Sequence, residues 1–329
     1  MKTRLRLIIL LLLMLQIVSC SLKKTLPKER LCEVVEQECH PQSWTGVGLD
    51  TSAGTVALMD SYYKFMPLKE TNTSEDELGL SFLEDGRGLL CFLDGGKQTA
   101  MIVRMVGEDK TRIESGLGLE QEGHKGLQSS RKGQIVYSVS EDTSLTGNSV
   151  LYVGSLDGNL VRAGMKFGDE INSDGNGWTS YPSLNSTGEV LFFSSDRAGG
   201  FGGTDIWYSV RENGGEWSAA ENCGGSINTS CDEISPFVSP NDKELYFSSN
   251  GGETVGGYDI FKSTISGEFW TRIRERGSVG VRNRTGMFSS RKNERTPLNT
   301  VADEIMPTCL GDCDSVLYYS SNQASKSGS

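Results

Sequence analysis

The stretch YPSLNSTGEVLFFSSD at residues 181–196 returns as SPFVSPNDKELYFSSN at residues 235–250. Ser194 falls on Ser248 and Asp205 on Asp259, so one step of 54 residues holds on both sides of a glycine-rich loop. That loop reads GGFGGTDIW in the first copy and ETVGGYDIF in the second. A third copy, MPTCLGDCDSVLYYSSN at residues 306–322, sets Ser320 on Ser248, and the Asp303-Glu304 ahead of it falls on Asp232-Glu233. Weaker copies surround Ser289, residues 131–140 and residues 84–94. About six units of this size follow one another, and none is large enough to close a core without its neighbours.

Each unit has the chemistry of paired strands. Val190 to Phe193 is a continuous apolar run, as expected of a strand buried on both faces. STG and PND precede such runs as turns, and Ile206-Trp207-Tyr208 and Ile260-Phe261 supply the next strand. Trp217 and Trp270 follow at a shared place. Forty glycines, eight prolines and the lack of long helical periodicity point to an all-β chain. Stacked radially, the units predict a β-propeller of about six blades, with about seven as the alternative. The last unit lacks its second strand, and GTVALMD at residues 54–60 is the expected source of that missing edge.

The first 19 residues read as a leader rather than as part of the fold. Lys2, Arg4 and Arg6 precede an apolar run from Leu7 to Val18, too short for the roughly 20 residues of a membrane-spanning helix. The following IVSC resembles a bacterial lipobox, which implies that Cys20 is the lipidated N-terminus of the mature protein. Residues 20–43 then form the lipidated cysteine and tether, and residues 44–329 the propeller domain. No acidic residue directly follows Cys20. By resemblance to lipoproteins of the Bacteroidota, that predicts an outer-membrane anchor on the periplasmic face. The net charge of −11 falls to −14 on removal of the three basic leader residues, which argues against nucleic-acid binding.

Export makes disulfides expected, and three close pairs offer themselves: Cys32 with Cys39, Cys223 with Cys231, and Cys309 with Cys313. Cys91 reads as a small buried apolar residue. His40 and His124 are the only histidines, with His124 in a polar turn, so no metal or other cofactor is expected. The loop at residues 168–178 carries Asp169, Asn172, Asp174 and Asn176, oxygen donors of the type that hold calcium, without a full calcium-loop pattern. Asp196, Asp205, Asp232, Asp259 and Asp303, with Glu233 and Glu304, recur with the repeat and are assigned to the scaffold. No carboxylate stands apart from the repeat as a glycosidase acid would, His124 reads as solvated and no G-x-S-x-G elbow is present, so the expectation is no enzyme activity.

The two strongest units, residues 180–262, resemble the TolB-type, WD-repeat-like propeller repeat found in envelope proteins of the Bacteroidota beside OmpA-like domains. The resemblance implies a protein-binding or scaffolding role in an envelope assembly. The expected partners are outer-membrane or other envelope proteins and the peptidoglycan. A different reading, a surface-exposed glycan-binding or glycan-hydrolysing lipoprotein, stands beside it. One segment breaks the repeat: residues 271–296 hold Arg272, Arg274, Arg276, Arg282, Arg284, Arg291, Lys292 and Arg295 against two glutamates, an excess of +6 in an acidic chain. This is the candidate docking surface for an acidic partner.

Overall fold

The computed structural model describes residues 55–59, 62–66, 77–83, 85–94, 97–105, 111–116, 124–140, 148–157, 160–173, 177–211, 215–276, 286–296 and 298–321. The chain divides into compact units at 1–36 and 37–329, and every described residue lies in the second. The leader, Cys20, Cys32 and Cys39 fall outside the described residues.

The protein is all-β, and the described strands form five four-stranded antiparallel sheets. In chain order the first sheet contains β3 (Glu77–Phe82), β4 (Arg87–Asp94), β5 (Lys97–Met105) and β6 (Thr111–Gly116). The second contains β7 (His124–Arg131), β8 (Gln134–Ser140), β9 (Ser149–Asp157) and β10 (Leu160–Lys166). The third contains β11 (Thr179–Leu184), β12 (Val190–Ser195), β13 (Asp205–Val210) and β14 (Glu221–Asn222). The fourth contains β15 (Glu233–Val238), β16 (Glu244–Ser249), β17 (Asp259–Thr264) and β18 (Lys292–Asn293). The fifth joins β19 (Glu304–Thr308) and β20 (Val316–Ser321) to β1 (Thr55–Met59) and β2 (Tyr62–Met66). There Val56 lies opposite Leu317 and Ala57 opposite Val316. The first strands of the sheets follow one another in space: β3 touches β7, β7 touches β11, β11 touches β15, β15 touches β19, and β19 touches β3.

The apolar runs become the second strands. Every residue of β12 is buried, and Phe192 and Phe193 point to opposite faces. Phe192 joins a cluster with Tyr208, Phe247 and Phe261 between the third and fourth sheets. Phe193 joins Val136, Leu151 and Trp207 between the second and third. A single unit therefore has two apolar faces and requires a neighbour on each side.

Five of the sequence copies match second strands, β4, β8, β12, β16 and β20. The copy around Ser289 does not. It forms no sheet of its own: Phe288 bridges Ile265, and the segment ends in β18, the outer strand of the fourth sheet. Between β17 and β18 the chain inserts α1 (Gly267–Arg276). Ser266 caps it, its hydroxyl accepting the Phe269 N–H at 3.2 Å. Phe269 and Ile273, one helical turn apart, enter the same core cluster, and the Phe269 ring lies 5.3 Å from that of Tyr208. Trp270 is therefore a helical residue, unlike Trp217, which pairs with Arg211 at a strand edge.

Candidate functional site

Antiparallel order brings two kinds of connection to one end of each sheet: the turn between the second and third strands, and the crossing into the next sheet. The glycine loops and the Asp-Glu pairs meet there. The Asp205 carboxylate accepts Phe201 N–H at 2.5 Å, Gly202 N–H at 3.2 Å and the Asn222 amide at 2.7 Å. Asp259 repeats this with Val255, Gly256 and Asn293 at 2.7, 3.3 and 2.7 Å. Gly203 N–H goes to the Cys231 carbonyl, and Thr204 N–H to Asp232 at 2.8 Å. Four successive amides are thus taken by protein oxygens, so the loop is a closed turn and not a phosphate cradle. Gly202 and Gly256 are required here, because a side chain would collide with the Cys231 and Thr300 carbonyls.

The remaining repeated acids bind similarly. Asp303 accepts Tyr258 N–H at 2.8 Å, and Asp196 accepts Trp178 N–H at 2.7 Å. Glu233 accepts both the N–H and the hydroxyl of Thr229 and the Ser249 hydroxyl. Glu304 does the same with Thr300 and Ser321. Burial drives both glutamates above the usual carboxylate range, Glu304 to about 7, against these hydrogen bonds. Burial also raises Asp205.

Between these tied carboxylates lies a collar of aromatic and apolar side chains spanning three first strands. Trp178 and Tyr181, both partly buried, have ring centroids 5.5 Å apart and pack with Ile234, Tyr258, Ile305 and Met306. Burial pushes the Tyr181 hydroxyl up to about 12. Tyr181, Ser235 and Met306 occupy the same repeat position, each before a proline, with φ of 54, 54 and 55°. A bulge falls at each: the register shifts between Ser180 and Ser183, Ile234 and Phe237, and Ile305 and Thr308. Left-handed backbone at non-glycine residues costs on the order of 1–3 kcal/mol each. Sequence reasoning missed this collar. Its signal is a position before a recurrent proline whose side chain changes from copy to copy.

The basic segment does not form one surface. Arg291 turns inward: its guanidinium donates to Glu233 at 3.2 Å, the Ser249 hydroxyl at 3.0 Å and the Gly251 carbonyl at 2.5 Å, and lies 4.6 Å from the Phe261 centroid. Burial lowers the Arg291 pKa although Glu233 opposes it, so desolvation outweighs attraction on both sides of this pair. Arg197 performs the matching task one sheet earlier, on Ser195 and over the rings of Phe193 and Trp207. Arg272 pairs with Glu268 on α1, Arg274 donates to the Trp270 carbonyl, and Arg295 pairs with Glu253. Lys292 is exposed, while Arg282, Arg284 and the side chain of Arg276 lie outside the described residues.

Cys309 and Cys313 form a disulfide, as expected. Cys223 and Cys231 do not pair: Cys223 is buried and in no disulfide, and Cys231 is disulfide-bonded to another cysteine. Cys223 is held instead in the apolar cluster with Ile227. His124 begins β7 opposite Val139 instead of lying in a turn. Asn172 is buried and spent on the backbone of Leu151 and Phe167, so it is no calcium ligand. Asp174 and Asn176 lie outside the described residues, and the side chain of Cys91 is likewise not described. Among the described residues no three metal-ligating side chains come together, and no helix is long and apolar enough to cross a membrane.

No family model matches the chain, and no curated protein matches it. Solved structures do. An α-L-arabinofuranosidase from Lactobacillus brevis shares 9% identity over 76% of this chain and 84% of its own, with a TM-score of 0.45. The α-L-arabinofuranosidase of Fusarium graminearum in complex with arabinobiose shares 15% identity over 66% of this chain and 67% of its own, with a TM-score of 0.38. In another structure of that Fusarium enzyme, with an iminosugar inhibitor, the match spans 61% of the enzyme's length. A puromycin-hydrolyzing peptidase from Mycobacterium tuberculosis shares 10% identity over 77% of this chain and 35% of its own, with a TM-score of 0.40. Two sequence expectations are corrected by these findings. The TolB-type envelope assignment is withdrawn, since no family model matches and the similar structures are glycosidases and puromycin hydrolases. The expectation of no enzyme activity is withdrawn as well, since these similar structures are enzymes. With TM-scores below 0.5, no activity is carried from them to this chain.

Proposed function

We propose that the chain is a lipid-anchored, five-bladed β-propeller that engages a glycan at the collar, as a surface glycan-binding or glycan-hydrolysing lipoprotein. The propeller reading is supported by the cyclic order of contacts among the five first strands and by the pairing of β1 with β20. The glycan reading is carried by one observation: the partly buried Trp178–Tyr181 pair at the start of β11, with the Asp196 carboxylate beside it accepting the Trp178 N–H. Aromatic faces receive the C–H faces of sugar rings, and carboxylates accept from sugar hydroxyls. The test is binding and reducing-end release across a polysaccharide panel, with wild type and Trp178→Ala. Retention or cleavage of a glycan by wild type, reduced at least about tenfold in the variant, supports the reading. A panel neither retained nor cleaved refutes it.

A second reading, docking to an envelope protein, is favoured by exposed apolar side chains at loop tips on the same end: Phe201, Val255 and Val301 are 55%, 39% and 85% exposed.

A further inference from the structure

The third and fourth sheets superimpose in sequence through their outer strands. Asn222 pairs with Trp207 as Asn293 pairs with Phe261, and Glu221 stands opposite Tyr208 as Lys292 stands opposite Lys262. Scaffold residues are retained across this correspondence: Asn222 and Asn293, Asn228 and Asn299, Thr229 and Thr300. Three positions beside them change to cations. Ala220 becomes Arg291, Glu221 becomes Lys292 and Gly224 becomes Arg295.

The last change runs against the backbone. Gly224 has φ 84°, a left-handed conformation suited to glycine, and Arg295 holds the same region at φ 53°. Its ion pair with Glu253, with side chains 66% and 82% exposed, offsets little of that strain. The fold has a glycine solution at this position and uses arginine instead.

The three cations meet at a pocket of about 410 Å³, lined also by Glu253, Phe261 and Asn293. That size is within the range of small-ligand sites. A guanidinium has five N–H groups. Glu233, Ser249 and Gly251 take three of those on Arg291, and the pocket borders the same side chain. We propose that this pocket is an oxyanion site, taking a carboxylate, sulfate or phosphate group through Arg291, Lys292 and Arg295. Arg291 is pre-oriented by its anchors, while Lys292 and Arg295 supply the excess charge. The proposal is independent of the glycan reading at the collar.

The test is calorimetric titration of the full chain in detergent, at low ionic strength, with inorganic sulfate, inorganic phosphate, galacturonate and neutral galactose. The variant is Lys292→Glu with Arg295→Gly, which installs the residues of the third sheet on the same backbone and leaves the Arg291–Glu233 pair intact. Anion binding without galactose binding, weakened at least about tenfold in the variant, supports the site. Preference for galacturonate over phosphate then identifies an acidic sugar as the source, and the reverse a phosphate-bearing compound. Arg295→Gly alone guards against misfolding of the double variant: it relieves strain, so its melting temperature should not fall, and its anion affinity should still drop severalfold. No anion binding by wild type, or binding undiminished in the folded variants, overturns the proposal.

Discussion

Replacing Glu304 by glutamine should stabilise the protein at neutral and higher pH and do so progressively less as the solution is acidified. Glu304 is fully buried at the start of β19. It is pushed from the ordinary 4.5 up to about 7 by burial, in spite of Thr300 N–H at 2.9 Å, the Thr300 hydroxyl at 2.5 Å and the Ser321 hydroxyl at 3.1 Å. A raised carboxyl pKa means that the unfolded chain loses its proton first. Stability from this group is therefore complete below about pH 4.5, declines as pH rises toward 7, and stays lost above it. A gap of about 2.5 pH units at about 1.36 kcal/mol per unit gives a loss on the order of 3 kcal/mol. Glutamine keeps the shape: its carbonyl accepts from the Thr300 N–H, and its amide donates to the Thr300 and Ser321 hydroxyls. Urea unfolding of wild type and Glu304→Gln at pH 5 and pH 8 isolates the effect. The stability difference should swing by about 2.5 kcal/mol in favour of the variant between these pH values. A difference independent of pH, or one favouring wild type at pH 8, would refute the reasoning.

Asn228→Ala should destabilise the third sheet by about 2–3 kcal/mol, because the Ile206 N–H at 2.8 Å loses its buried acceptor and Asn222 loses a donor. Urea midpoints check it, and Asn299→Ala should match it through Ile260. Converting Cys309 and Cys313 together to serine should cost about 2 kcal/mol, since a bridge between residues four apart restricts only a short loop of the unfolded chain. A loss far larger than that would show that the bridge also holds the folded state. Cys223, buried and reduced, should react with an alkylating reagent only after unfolding, as read by mass spectrometry of the modified peptide.

The sequence alone determined the strands and their repetition. Continuous apolar runs such as Val190–Phe193 bury on both faces whatever surrounds them, and glycines beside a recurrent aspartate close one kind of turn. Those are local consequences of side-chain chemistry, and β12, β13, β16 and β17 follow from them. What the runs do not encode is partnership. The segment around Ser289 carries the repeat's serines yet forms an outer edge, because Phe269 and Ile273 of α1 fill the space beside Phe192 and Tyr208. Cys223 and Cys231 are near in sequence, but the first joins the core behind β14 while the second lies against Gly251 in the next sheet's loop. Of eight cations in one charged stretch, only the packing shows that Arg291 turns inward to a buried glutamate. The collar joins Trp178 and Tyr181 at the start of β11 to Ile234 of β15 and Met306 of β19, and Tyr181 and Met306 share a repeat position but not a residue type. Which side chains meet across sheets depends on contacts between residues far apart in the chain, and only the tertiary structure supplies them.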